Sequence, residues 1–453
     1  MLGEQRIREI THGILAQSRA DQTEVSVIGG DSQLTRFANN AIHQHVAEVD
    51  VQVRVRVVSG KRLGAASTND VSREALERTL EMALTTARLQ PENPDFRSLP
   101  SPLPLPPLRA FSEATASCTP EQRARAVALI CGPAAEARLS AAGALETSIE
   151  EYAVANSLGV FGYFPTTLAD LRTVIMGQAP EGGSGYAAAA ALDIEEIDAQ
   201  AIGREAIHKA LRSRNPIDIE PGPHVVILEE YAVDDLVGYL SYLGFGALAV
   251  QEKRSFMVEK RGQPVASPWV SLWDDGRDPR GLPMPFDFEG VPKQKVELIT
   301  RGIAREVVYD SYTAGREAGK SSTGHALPAP NPSGPFAWNL FMTEGDASRD
   351  ELLTSIERGI WVTRLHYVRP VHPLKTIVTG MTRDGTFLIE HGELTRPVKN
   401  LRFTQSILEA LAKVSRVGRE IKVGRSFLED FLGAISVPAL RIEEFNFTGT
   451  TEF

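Results

Sequence analysis

Two carboxylates on one predicted helix have a spacing that could bind a metal ion. Glu230 and Asp234 are four residues apart, so their side chains share one face of an α-helix. Two carboxylates on one face could supply oxygen ligands. The alternative is that Glu229, Glu230, Asp234 and Asp235 are acids near a helix N-terminus, where the helix dipole favours negative charge. The sequence leaves both interpretations open.

A histidine on a predicted loop, His325, follows Ser322-Thr323-Gly324 and could act as a general base. An imidazole titrates near neutral pH, which suits proton transfer. No nucleophile stands beside it in the sequence, so a binding or interface role is the alternative. His366 and His372 are six apart around a proline, and we expect no metal site there.

Composition and charge exclude several classes of protein. The formal net charge is −10 over 453 residues, and basic residues alternate with acidic ones, so we expect no nucleic-acid binding. Cys118 and Cys131 are the two cysteines, which rules out a disulfide framework and suits a reducing compartment. No stretch reaches the ~20 apolar residues that a membrane helix needs. We therefore expect a soluble, cytoplasmic protein.

The elements that must position these residues indicate a mixed α+β (α/β) protein of two domains. In residues 50–58, valines at every second position alternate with polar residues, which predicts a strand with one buried face. Residues 72–89 change to helical periodicity. Residues 99–108 hold five prolines and predict an extended spacer. Prolines between 216 and 223 mark the boundary between an α/β domain (1–215) and a β-rich domain (216–453), in which residues 230–250 predict one long apolar helix.

Seven short strings, taken together and in order, resemble the TldD/PmbA family. They cover both halves of the chain and lie at residues 35–40 (TRFANN), 156–160 (NSLGV), 254–256 (RSF), 286–292 (FDFEGVP), 322–325 (STGH), 379–390 (TGMTRDGTFLIE) and 398–404 (VKNLRFT). The resemblance implies a two-part architecture, with an N-terminal α/β domain and a β-rich C-terminal domain. It also implies dimeric assembly. Some members carry the older label of modulator of DNA gyrase, for which the charge balance gives no direct support.

The resemblance also implies where a zinc ion would bind in the proteolytic branch of the family. There, an H-E-x-x-x-H string on a helix and a C-terminal Cys hold zinc, and the open fourth position activates water. This chain carries Gly238, Tyr239 and Leu243 where the family has its first His, its Glu and its second His. No His occurs between His224 and His325, and no Cys follows Cys131. We expect no bound metal and no cofactor.

These observations favour a non-catalytic, TldE/PmbA-like subunit of a TldD/TldE-type metallopeptidase complex that acts on short or unfolded peptides. Its partner would be a zinc-bearing TldD-like homologue, or a second copy of itself. The alternatives are a self-sufficient hydrolase with non-zinc chemistry, and a homodimeric peptide-binding scaffold. Polar and aromatic residues of the family-like strings are the candidate peptide contacts: Asn156, Ser157, His325, Thr379, Arg383, Asp384, Arg402 and Phe403. For Arg383 and Asp384, a simple hairpin corner at Asp384-Gly385 is the alternative.

Overall fold

The computed structural model describes residues 1–425 and 433–451. The first half builds one six-stranded antiparallel sheet in the order β3-β2-β1-β4-β5-β6. Alternation explains its strands: Val53, Val55 and Val57 are fully buried, while the polar residues between them face the other side. The strands are β1 (Gln22–Ala38), β2 (Ala41–Ser59), β3 (Arg62–Thr68), β4 (Ser140–Asn156), β5 (Phe161–Met176) and β6 (Ser184–Ala191).

Amphipathic helices cover one face of this sheet: α1 (Glu4–Gln17), α2 (Arg73–Leu89), α3 (Glu113–Ala116), α4 (Pro120–Glu136) and α5 (Ala199–Arg212). Capping residues in the sequence mark where two of these helices begin. Ser72 caps α2, and Thr119 with Gln122 forms a capping box at the start of α4. Residues 91–112, which include the proline-rich spacer, form no helix or strand.

The second half builds a larger mixed sheet whose strands partly close on themselves. Its strands are β7 (Gly222–Leu228), β8 (Leu272–Asp274), β9 (Val296–Thr300), β10 (Ile303–Ala304), β11 (Asn339–Met342), β12 (Arg358–His372), β13 (Ile377–Glu390), β14 (Glu393–Pro397), β15 (Leu401–Ser406), β16 (Val414–Arg425) and β17 (Ala434–Thr450). Five of these strands form a closed ring, because they pair in the order β17-β15-β13-β12-β7 and β7 also pairs with β17. The helices are α6 (Glu230–Leu240), α7 (Ala247–Gln251), α8 (Ser311–Gly315), α9 (Arg349–Thr354) and α10 (Ile407–Ala412).

The prediction of one long apolar helix over residues 230–250 was wrong. The α-helix α6 ends at Leu240, Ser241–Phe245 forms a π-turn, Gly246 is extended, and α7 begins at Ala247. Tertiary contacts explain the break. The Ser241 hydroxyl donates to Ala337 O, and a side chain on Gly246 would lie 2.4 Å from Pro335 O. The apolar periodicity therefore correctly indicated that this segment is buried. Packing against neighbouring residues determines where its helix is interrupted.

An aromatic layer joins the two halves. Tyr152 and Phe164 of the first sheet pack with Phe286, Phe288 and Trp338 of the second half in one buried cluster. The first sheet is thus covered by helices on one face, and on the other it meets the second half. This arrangement confirms the mixed α+β class.

None of the helices within residues 1–425 and 433–451 combines the length and the apolar character needed to cross a bilayer.

Candidate functional site

A cleft of about 370 Å³ lies between the two halves, beside helix α6. We call it the α6 cleft. Its walls come from β5 and β6 of the first sheet and from α6, β12 and β16 of the second half. The residues that line it are Asp170, Arg172, Tyr186, Ala188, Ala189, Ala190, Glu230, Tyr231, Asp234, Asp235, Tyr239, Arg364, Leu365, His366, Tyr367, Val368, Arg369, Lys422, Val423, Gly424 and Arg425. Its size suits a short peptide segment.

The acids of α6 form the floor of this cleft. Asp234 and Asp235 are half-buried, and neither accepts a hydrogen bond from any residue that the structure describes. Burial, followed by the neighbouring charge of Asp235, raises the pKa of Asp234 well above its ordinary range. Burial also raises the pKa of Asp235 to about 7, against the opposing effect of Arg364. These carboxylates can therefore hold a proton near neutral pH.

Glu230 is more deeply placed than the two aspartates. It is 1% exposed, and its Oε2 accepts a hydrogen bond from Arg349 Nη2 at 2.7 Å. Its Oε1 is buried without a hydrogen-bond partner among the described residues. Burial is the main reason why the pKa of Glu230 is raised. The face shared by Glu230 and Asp234 thus points into the cleft.

A bulge in β12 directs basic side chains into the cleft. The pairing of β12 with β13 shifts register between His366 and Arg369, and Tyr367 lies at φ 55° in the left-handed region. Arg369 Nη1 donates to Val368 O at 2.7 Å and lies 3.5 Å from Tyr239 Oη. Burial and the charge of nearby Arg383 lower the pKa of His366, which favours its neutral form.

Most of the remaining charges of the cleft are fixed by ion pairs. Arg364 Nε donates to Asp384 Oδ2 at 2.6 Å, and Arg172 Nη2 donates to Asp170 Oδ2 at 2.8 Å. The Lys422 ammonium lies 3.1 Å from Glu205 and 2.7 Å from Tyr231 Oη. These pairs hold the charged side chains in place, and the cleft shows no nucleophile paired with a base among the described residues.

Asp384 and Arg383 are the two predicted contacts nearest this cleft. Asp384 is buried and holds Arg364, which lines the cleft. Arg383 pairs across the strands with Arg364. Asp384 adopts φ 57° and Gly385 φ 123°, yet both remain within β13, so this pair does not form the corner of a hairpin.

The other predicted contacts lie apart from the cleft lining. Asn156 bonds Pro100 O and accepts from Leu158 N and Val160 N, so its amide organises a turn. Ser157 accepts from Thr23 N, and Thr379 donates to Phe403 O. Phe403 is fully buried in the hydrophobic core of the second half, while Arg402 is exposed on β15. Peptide contact by these residues stays a prediction.

His325 is fully enclosed by protein. Its Nε2 lies 2.8 Å from Asp274 Oδ1, and its Nδ1 lies 2.9 Å from Thr323 Oγ1. Lys293, also fully buried, lies 3.7 Å from the same aspartate. Burial and Lys293 lower the pKa of His325. In this conformation the ring cannot reach a peptide, so the placement adds nothing to the general-base hypothesis.

Of the three positions that we expect to correspond to the family's zinc string, Tyr239 lines the cleft, whereas Gly238 and Leu243 are not part of its lining. Gly238 and Tyr239 belong to α6, Leu243 lies in the π-turn, and Tyr239 lines the cleft with its hydroxyl donating to Val368 O. Glycine and leucine offer no metal ligand, so the residues present do not fit the family's zinc ion. Within residues 1–425 and 433–451, no three His, Cys, Asp or Glu side chains converge as a metal site would require.

The sequence alone did not reveal the basic wall of the cleft. Arg364, Arg369 and Lys422 lie on strands β12 and β16, far apart in the chain, and no motif links them. The sequence signal that did point to this cleft was the four-residue spacing of Glu230 and Asp234, which places both side chains on one face of a helix. Bulges and sheet pairings, which bring the other side chains together, leave no local pattern in the sequence.

Comparison with known proteins first defines the class of the chain, which is that of the peptidase-related proteins. Residues 221–449 match the PmbA/TldA metallopeptidase C-terminal domain, residues 23–87 match domain 1, and residues 111–214 match the central domain. The chain therefore belongs to the PmbA/TldD metallopeptidase family. The six-stranded sheet takes strands from both domain 1 and the central domain, and our two-domain division stays a prediction.

Individual relatives cover nearly the whole chain. Metalloprotease PmbA of Escherichia coli O157:H7 is 24% identical over 94% of this chain and 93% of its own length. A metalloprotease TldD homolog of Haemophilus influenzae is 25% identical over 89% and 87%. The crystal structure of TldE from Thermococcus kodakarensis superposes with a TM-score of 0.88 at 22% identity, covering 98% of this chain and 99% of that one. This last likeness shows the fold.

Proposed function

We propose that this chain is a non-catalytic, peptide-binding subunit of a TldD/TldE-type metallopeptidase complex in the cytoplasm. One observation supports the proposal: α6 and the π-turn that follows it carry Gly238, Tyr239 and Leu243 where we expect the family's zinc string, and glycine and leucine cannot bind a metal. A hydrolytic zinc needs three protein ligands and an open position for water. Gly238 and Leu243 supply none of these ligands.

The chemistry of the cleft supports peptide binding rather than hydrolysis. Arg369 is exposed at the rim and has no carboxylate partner among the described residues, so it can donate to the carbonyls of a peptide. Small side chains at Ala188, Ala189 and Ala190 leave the wall formed by β6 open. Hydrolysis of a peptide bound there would depend on a catalytic group from a partner. The partner proposed is a homologue that carries the complete H-E-x-x-x-H string.

The test is co-expression of this chain with such a homologue, followed by affinity purification and a peptide-cleavage assay. We expect a stable complex that cleaves unfolded peptides faster than the homologue alone, and no cleavage by this chain alone. Homologue mixed with an unrelated acidic protein is the control. If the two chains neither associate nor gain activity, the proposed role as a subunit is wrong.

A further inference from the structure

Two carboxylates of the cleft have no hydrogen-bond or ion-pair partner among the described residues, although most of its other charged groups are paired. Asp170 pairs with Arg172, Arg364 with Asp384, and Lys422 with Glu205. Asp234 and Asp235 form no hydrogen bond or ion pair with any residue in the described part of the chain. Because Arg172, Arg364 and Lys422 are paired with other acids, these two carboxylates remain available to a ligand.

The shape of the cleft preserves this arrangement. Gly424 on β16 faces Asp234, and a side chain at Gly424 would come within 2.1 Å of Asp234 Oδ2. A side chain at this position would therefore displace the Asp234 carboxylate. Asp234 lies one helical turn beyond Glu230, so both carboxylates are on the same face of α6.

An independent observation indicates that a donor belongs on this face. Glu230 is 1% exposed, and its Oε1 has no hydrogen-bond partner among the described residues. A buried carboxylate oxygen without a donor costs free energy, so such atoms are rare unless a ligand or water completes them. Glu230 lines the same cavity as Asp234 and Asp235.

We propose that the α6 cleft binds a primary ammonium group of a peptide through Asp234, Asp235 and Glu230. An ammonium carries three N–H donors, and carboxylates with unfilled acceptors can take these without all meeting at a single point. A metal ion is less suitable, because it needs several ligands around one point, and no three His, Cys, Asp or Glu side chains in residues 1–425 and 433–451 converge in that way. This inference rests on the proposed function and names the part of the peptide that the cleft recognises.

Two sources could supply the ammonium, namely the N-terminus of a peptide and a lysine side chain. Arg369 at the rim lies beside Tyr239, one helical turn beyond Asp235. With the ammonium on the acids of α6, the backbone carbonyls that follow it would pass Arg369. A free N-terminus has its first carbonyl close by, whereas the long lysine stem holds the backbone farther away. We therefore favour the N-terminus.

The experiment is isothermal titration calorimetry on the purified full-length chain with three probes: tri-alanine amide, N-acetyl-tri-alanine amide, and N-acetyl-Ala-Lys-Ala amide. We expect the free N-terminus to bind about tenfold more tightly than the acetylated peptide. That advantage should disappear in D234N and D235N. D218N is the matched control, since Asp218 is an exposed aspartate outside the cleft that pairs with Lys399. Thermal melting of each variant checks that it folds.

Each outcome decides the matter. If the lysine probe binds more tightly than both others, the cleft still binds an ammonium group, and that group belongs to a lysine side chain rather than to the N-terminus. Equal binding of all three probes, no binding at all, or an advantage that survives D234N and D235N in folded protein would overturn the inference. Because the titration uses this chain alone, its failure is separate from a failure to associate with a zinc-bearing homologue.

Discussion

At the scale of single residues, the ion pair between Asp384 and Arg364 positions the basic wall of the cleft. Asp384 is buried and accepts from Arg364 Nε at 2.6 Å. Asp384 also adopts φ 57°, a conformation that aspartate and asparagine both tolerate better than most residues. An asparagine can therefore replace it without backbone strain, and the change removes the charge alone.

We expect D384N to weaken peptide binding by about fivefold to tenfold, because a hydrogen bond to a charged group contributes roughly 1.5–3 kcal/mol and Arg364 would lose its fixed orientation. Calorimetric titration with an unfolded peptide measures the change. D95N, which removes an exposed carboxylate 3.4 Å from Arg316, should bind like the unchanged chain. Unaltered affinity in folded D384N would show that Arg364 has no part in binding.

A buried carboxylate in the first half should make stability depend on pH. Burial, together with the charge of Glu289, raises the pKa of Glu24 from 4.5 to about 7, although Arg56 opposes the shift. The native state therefore holds this proton more tightly than the unfolded state. The resulting stability is complete below the unfolded pKa of 4.5 and is lost as the pH rises through about 7.

We expect E24Q to remove this dependence, because glutamine keeps the neutral form at every pH. Between about pH 5 and pH 8, the unfolding free energy of the unchanged chain should fall by about 1–3 kcal/mol more than that of E24Q. Urea melts across this range measure the difference. E4Q, which removes an exposed carboxylate paired with Arg8, should behave like the unchanged chain. Parallel pH profiles for E24Q and the unchanged chain would refute the assignment.

Sequence reasoning at this scale identified residues of the right type but only part of the site. The shared face of Glu230 and Asp234 follows from helical geometry, and the lack of a metal ligand at Gly238 and Leu243 follows from residue identity. Asn156 and His325 instead bond within their own surroundings, at a turn and in a buried network. A polar residue in a family-like string can serve the fold as well as a ligand, and the string alone does not separate the two roles.

At the scale of elements, the interruption after α6 shows how packing overrides apolar periodicity. Gly246 is extended, its neighbour Ala247 donates to Val308 O, and Pro335 O fills the space where a side chain would be. A continuous helix would need that space. The π-turn that precedes Gly246 places Leu243 in the core while Tyr239 stays on the cleft.

We expect G246A to destabilise the chain by about 1–3 kcal/mol, because overpacking against a fixed backbone carbonyl forces a shift. G13A is the matched control: Gly13 lies within α1 with no atom near the added methyl group, so this change should stabilise by about 0.5–1 kcal/mol. Urea unfolding of both variants gives the comparison. A stable G246A with increased helix content would mean that the continuous helix forms after all.

Short-range patterns predicted many elements but not their pairing. The alternating valines of residues 50–58 lie in β2, and the helix of residues 72–89 is α2 with Ser72 as its cap. The ring of the second half depends on β7 pairing with both β12 and β17, which are more than a hundred residues away. Such contacts carry no local signature, so they could not be read from a single sequence.

At the scale of the whole molecule, buried ion pairs and an aromatic layer hold the two halves on either side of the cleft. Lys209 of α5 lies 2.7 Å from Glu229, which precedes α6, and both side chains are almost fully buried. Glu229 also accepts a hydrogen bond from Trp361. The entrance to the cleft therefore depends on contacts between the halves.

We expect K209M to cost about 3–5 kcal/mol, because it leaves the buried charge of Glu229 without its ammonium partner. K399M removes an ion pair of the same 2.7 Å length from Asp218, but those side chains are 42% and 62% exposed. Its cost should stay below about 1 kcal/mol. Chemical unfolding of both variants measures this contrast. Equal costs would show that Lys209 does not hold the halves together.

The central claim is that this member of the PmbA/TldD family has a peptide-binding cleft without the ligands for a hydrolytic zinc ion. The most direct measurement is the zinc content of the purified full-length chain, determined by plasma mass spectrometry after incubation with zinc and desalting. We predict zinc no higher than in a blank that contains no protein. Stoichiometric zinc that is lost on Y239F, in a chain that cleaves peptides unaided, would contradict the account.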